Sequence, residues 1–159
     1  MGNIFSGSEV VEVGIQIEKN GKDFYDTLAV QSKDQKAVGI FKHLAGEEEK
    51  HIADFERILN SVVKYEPQEA FPGEYFAYMN DLAGEHVFTQ KDKGIEIAKT
   101  IKSDKEAVES GIKFEKDSIV FYEGMKKVVP ENGLKVIDTL IAQEQQHLKV
   151  LSELKGSLQ

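Results

Sequence analysis

The chain has 159 residues, 40% of them hydrophobic, which suits one domain with a sizeable core. Its formal net charge of −8 argues against a nucleic-acid surface or an anionic membrane as partner, because phosphate-rich surfaces recruit an excess of Lys and Arg. With no cysteine, disulfides, thiolate-bound zinc, iron–sulfur clusters and thiol catalysis within this sequence are excluded, and with no leader-like or long apolar run the expectation is a soluble, cytoplasmic protein.

Residues Met1 to Ser6 match an N-myristoylation pattern, but Ser6-Gly7-Ser8-Glu9 has a plainer reading as a capping box at a helix start. Helical periodicity then runs over about 7–30 and, after a second capping signature at Ser32-Lys33-Asp34-Gln35, over about 34–61. The two form a helical hairpin with a tight turn around Val30 to Lys33. A looser crossover follows, over about 62–103, with Pro67 and Pro72 near its start and shorter helices near 73–83 and 92–101. A second hairpin spans about 104–128 and 131–155, its turn marked by Val129-Pro130-Glu131. No strands are expected. Two hairpins joined by a crossover of roughly 40 residues give a single all-α domain, a ferritin-like four-helix bundle.

An internal repeat strengthens this reading. Residues 6–26 align with 103–123 at a constant shift of 97, pairing Ser6 with Ser103, Glu9 with Glu106, Gly14 with Gly111, Glu18 with Glu115 and Tyr25 with Tyr122. The second and fourth helices align at a shift of 96, with Leu44 over Leu140, Glu48 over Glu144 and His51 over His147. Two copies of one hairpin, stacked about a pseudo-twofold axis, bring equivalent residues face to face.

Glu48-x-x-His51 and Glu144-x-x-His147 each place a carboxylate and an imidazole on one helix face. Both pairs interrupt an apolar stripe, made by Phe41, Leu44, Ala45, Ile52 and Phe55 in one case and by Ile137, Leu140, Ile141, Leu148 and Leu151 in the other. Glu18 and Glu115 continue similar stripes. Glu18 precedes the first turn by about a dozen residues, roughly 20 Å of helix, and Glu48 and His51 follow it by a similar distance, so all three meet at one level. Glu115, Glu144 and His147 repeat the count around Pro130. Four buried carboxylates without compensation would cost several kcal/mol each, and two divalent cations would balance them. Carboxylate and imidazole without thiolate suit iron or manganese, and zinc can occupy such a site in a purified sample. Six metal ligands are therefore expected: Glu18, Glu48, His51, Glu115, Glu144 and His147. Gly21 and Ser118, one turn beyond Glu18 and Glu115, are small enough to leave room for metal and an oxygen-derived ligand. Tyr25 and Tyr122 are candidates to hydrogen-bond the ligand carboxylates, each reaching two turns along its helix. His43 reads as a surface residue and His86, in the crossover, as structural.

Across nearly its whole length the sequence resembles the rubrerythrin branch of the ferritin-like superfamily, in versions that lack a rubredoxin domain. Glu18 with Tyr25, Glu48-Glu49-Lys50-His51, Glu115-Lys116-Asp117-Ser118 with Phe121-Tyr122, and Glu144-Gln145-Gln146-His147 carry the resemblance. It implies a di-iron centre that reduces hydrogen peroxide, with Glu48 and Glu144 as bridges, Glu18 and Glu115 as terminal ligands and one iron on each of His51 and His147. Rubrerythrins usually carry a further carboxylate where this chain has Ser118, which puts redox-linked ligand switching of the usual kind in doubt. The resemblance also implies a homodimer, and the missing cysteines imply an external electron donor such as a rubredoxin. The expected function is thus a non-haem di-iron peroxidase-type oxidoreductase. The alternatives are ferroxidase or iron handling of bacterioferritin type, a non-catalytic metal-binding bundle, and oxygenase chemistry on an organic substrate.

Overall fold

A computed structural model describes residues 6–64 and 73–158. The myristoylation-like residues 1–5, Pro67 and Pro72 lie outside the described residues. Helix α1 runs Gly7–Gln31, α2 Gln35–Lys64, α3 Gly73–Glu85, α4 Lys93–Thr100, α5 Asp104–Met125 and α6 Glu131–Ser157. All six lie within a few residues of the expected segments, and no strand occurs among the described residues. The expected third long helix ends earlier, because its last turn, Lys126–Val128, tightens into a 3₁₀ turn before Pro130. A second 3₁₀ turn, Val87–Thr89, was not anticipated.

Local chemistry sets the helix ends. Ser6 caps α1 through a complete capping box, its hydroxyl accepting from the Glu9 amide at 3.3 Å while Glu9 Oε2 accepts from the Ser6 amide at 3.2 Å. Ser103 repeats the hydroxyl bond to Glu106 at 3.1 Å on α5. At the first hairpin the sequence signature is corrected. Asp34, not Ser32, caps α2 by accepting from the Ala37 amide at 2.9 Å, and Ser32 instead donates to Asp104 at 2.6 Å, tying the turn to the start of α5.

Helix α1 packs on α2 and α5 on α6, and the hairpins meet through α1 against α5 and α2 against α6. The crossover lies over the α1 and α5 side, with α4 on α1 and α3 on α5. Its anchor is the buried Asn20, whose amide nitrogen donates to the carbonyls of Phe88 and Gln90, both at 2.6 Å, while its oxygen accepts from the Gly94 amide at 3.0 Å. Glycine is required at 94, since a β-carbon there would lie 2.0 Å from the Asn20 backbone oxygen. Phe24, Phe88 and Phe114 then pack as a ring cluster, with centroids 4.7 to 6.5 Å apart, sealing this side of the bundle. The remaining core is apolar except around one level of the four long helices and at His86, which enters from the crossover.

Candidate metal centre

At that level Glu18, Glu48, Glu115 and Glu144 are fully buried, and His51 and His147 retain only 1% and 4% exposure. All six expected ligands converge, as the height count around the two turns requires. Helical phase explains it, since the i and i+3 pairs on α2 and α6 and the single glutamates on α1 and α5 sit on the stripes that face the bundle axis. The two imidazole rings lie nearly parallel, 18° apart in plane, with centroids separated by 5.7 Å.

The hydrogen bonds divide the ligand atoms into satisfied and unsatisfied sets. Tyr25 donates to Glu115 Oε1 at 2.6 Å, and Tyr122 donates to Glu18 Oε1. Each tyrosine therefore serves the glutamate of the opposite hairpin. The sequence reading, which ran the contact along the tyrosine's own helix, is corrected: helix phase puts the phenol on the inward face, but the pseudo-twofold packing of α1 on α5 presents the other helix's carboxylate to it. Burial, with Glu115 or Glu18 beside them, pushes both phenols well above their usual range and keeps them donors. His51 is fixed by a second contact, Nε2 to Gln143 Oε1 at 2.8 Å, which leaves Nδ1 facing inward. Gln143 was missed, although the repeat contained the signal: it stands one residue before Glu144 as Glu47 stands before Glu48, and His147 acts electrostatically on Glu47.

What remains inward has no hydrogen-bond partner: Glu18 Oε2, both oxygens of Glu48 and Glu144, Glu115 Oε2, and Nδ1 of each histidine. These atoms nevertheless crowd together, His51 Nδ1 lying 2.7 Å from Glu144 Oε1 and His147 Nδ1 lying 3.2 to 3.4 Å from Glu48, Glu115 and Glu144. Buried polar groups left unpaired each cost about 1–3 kcal/mol, more when charged, so atoms converging in this way signal a cation. They fall into two overlapping sets, Glu18, Glu48, His51 and Glu144, and Glu48, Glu115, Glu144 and His147, with the donor atoms of each set within 4.8 Å of one another. Glu48 and Glu144 belong to both. The residues present thus fit a pair of metal ions.

Proton affinities describe the same deficit. Burial, reinforced by Glu144, pushes Glu48 and Glu115 well above the usual carboxylate range. Burial acts to lower the imidazoles, but Glu18 and Glu144 raise His51 to about 11, and Glu115 and Glu144 raise His147 to about 10. Glu144, despite its burial, is held well below the usual range by the close approach of Glu115, His147 and His51. Protons and cations thus compete for the same charge deficit.

The other histidines separate as expected. His43 is exposed. His86 is buried and stands outside both ligand sets, its Nε2 lying 3.0 Å from Ser118 Oγ. Gly21 leaves room chiefly for protein, since a β-carbon there would lie 2.6 Å from the Phe114 ring and 3.1 Å from Glu48 Oε2.

The family model described as Rubrerythrin matches residues 9–155. Among solved structures, a crystal structure of a ferritin-like diiron-carboxylate protein from Thermotoga maritima superposes with a TM-score of 0.70 at 26% identity, covering 98% of this chain and 97% of that one. No curated protein matches the chain.

Proposed function

The chain belongs to the rubrerythrin family, and from that premise we propose that it is a di-iron carboxylate oxidoreductase that reduces hydrogen peroxide with electrons from an external donor. The observation that carries the reading is the double ligand set with Glu48 and Glu144 in common. In this proposal Glu48 and Glu144, common to both ligand sets and with both oxygens unpaired, would be shared by the two metals. Glu18 and Glu115, each with Oε1 held by a tyrosine and Oε2 free, and His51 and His147, each with Nδ1 free, would hold one metal apiece. An iron pair bound there would supply the two electrons that, with two protons, convert hydrogen peroxide to two waters.

The protein's own part is to position and to exclude. Tyr25 and Tyr122 hold the terminal carboxylates in one rotamer, Gln143 fixes the His51 ring, and the aromatic cluster around Phe114 keeps bulk water from the α1 and α5 side. No cysteine is present to hold a thiolate iron site, so the electrons come from a centre outside this sequence, such as a rubredoxin. A cytoplasmic homodimer is part of the same proposal. No helix among the described residues is long and apolar enough to cross a membrane.

Anaerobic iron loading of the reduced protein, followed by stopped-flow mixing with peroxide or with air-saturated buffer, tests this. Faster reoxidation by peroxide is expected, and equal rates would remove the peroxidase reading. Glu18→Ala and Glu115→Ala should each lower bound metal with helical content kept, measured by elemental analysis and circular dichroism. Full metal content in both variants would refute the ligand assignment.

A further inference from the structure

One buried polar couple stands outside the ligand set. Helix α5 carries Ser118 one turn beyond Glu115, on the same inward face, and the serine is fully buried. His86 comes to it from the crossover, held within the ring cluster by an edge contact to Phe114 at 5.7 Å. The protons of this couple can be placed. The Phe88 amide donates to His86 Nδ1 at 3.1 Å, so that nitrogen carries a lone pair. Burial lowers the imidazole to about 4 and keeps it neutral, so the one ring proton is on Nε2. Nε2–H therefore donates to Ser118 Oγ, and the serine's own hydrogen must go to another acceptor.

A helical serine or threonine commonly returns that hydrogen to the carbonyl four residues back, as the half-buried Thr27 does to Asp23 and the exposed Thr139 to Lys135. Ser118 does not, and His86 is its one hydrogen-bond partner among the described residues. The repeat indicates the direction left. Ser118 is the counterpart of Gly21, and a β-carbon on Gly21 would lie 3.1 Å from Glu48 Oε2. By the same pseudo-twofold relation position 118 corresponds to one that faces Glu144, the counterpart of Glu48, whose two oxygens have no hydrogen-bond partner. The two halves of the cluster thus differ: one side is closed by the Phe114 ring over Gly21, and the other carries a hydroxyl.

We propose that Ser118, oriented by His86, is the hydrogen-bond donor to the small oxygen substrate in the metal cluster. The substrate class is a hydroperoxide, hydrogen peroxide being the smallest, which accepts the serine hydrogen on one oxygen. His86 acts through Ser118 as a positioning residue: by occupying one lone pair of Oγ with its own proton, it turns the serine hydrogen inward. This inference rests on the di-iron reading above.

Azide, a small anion that accepts hydrogen bonds, is the probe. Wild type, Ser118→Ala, Ser118→Thr and His86→Phe are loaded with iron and oxidised, their metal content is measured, and azide is titrated by visible absorption. With two irons bound, Ser118→Ala and His86→Phe should each weaken azide about tenfold, the effect of one lost hydrogen bond, while Ser118→Thr, which keeps the hydroxyl, stays within about threefold of wild type. A purely structural serine would leave azide affinity unmoved. Two irons with unchanged azide affinity in Ser118→Ala overturns the role of Ser118 and leaves the di-iron reading intact. Wild type that holds no iron pair overturns that reading, and this one with it.

Discussion

At the residue scale, His86 shows how a short polar motif acquires meaning only from its neighbours. In the sequence it is one histidine in Gly84-Glu85-His86-Val87-Phe88, and a structural role is the bland expectation. The fold buries it, gives Nδ1 a backbone donor and gives Nε2 a serine oxygen. Its folded pKa of about 4 lies below the ordinary 6.5, so between these values the unfolded chain binds the proton more tightly. The contribution is present in full above about pH 6.5 and is lost as pH falls toward 4, an amount of about 3 kcal/mol. Denaturant midpoints measured across that range should therefore fall less steeply in His86→Phe than in wild type. Parallel pH profiles would show that the imidazole is not held neutral.

At the element scale the crossover matters most, because its route decides which side of the bundle is closed. Periodicity located α3 and α4 well, since their apolar residues recur at helical spacing. It was silent on what docks them, because that attachment uses polar side chains that reach distant partners: Asn20 and Gln31 hold the chain around α4 from about 70 residues away, and Tyr75 ties α3 to Gly124. The close approach of α4 to α1 depends on Gly94. Gly94→Ala puts a methyl group against a backbone oxygen that no rotamer change can move, and should destabilise the fold by about 3 kcal/mol or more. Urea unfolding checks this. A loss below about 1 kcal/mol would mean that α4 can lift from α1 freely. The hairpins themselves were legible down to the Ser6 cap, whereas Ser32 was misread because its hydroxyl found Asp104 in a helix far along the chain.

For the whole molecule, the centre couples charge, metal and stability. Burial raises the proton affinity of Glu48 and Glu115, and neighbouring carboxylates raise that of both imidazoles, so protons compete with cations for the cluster: loading should release protons and affinity should fall as pH falls. An indicator dye in weak buffer should record that release on addition of ferrous iron. Each site held at 100 times its dissociation constant should add about 2.7 kcal/mol of stability, reversed by a chelator. A melting temperature that responds to neither metal nor chelator would separate the cluster from metal binding altogether. The net charge of −8 favours cation approach at low salt.

The helices, the repeat and the six residues that share a level could be read from chain order alone, because helical rise and phase are local properties that a repeat states twice. Chain-order spacing also sufficed to count the carboxylates in need of cations. Which oxygen of each glutamate is free, which tyrosine serves which hairpin, and how Gln143, Ser118, His86 and Asn20 are used emerged from the packed fold. Those outcomes depend on contacts between side chains distant in sequence, and periodicity carries no information about which residue of a facing helix stands opposite.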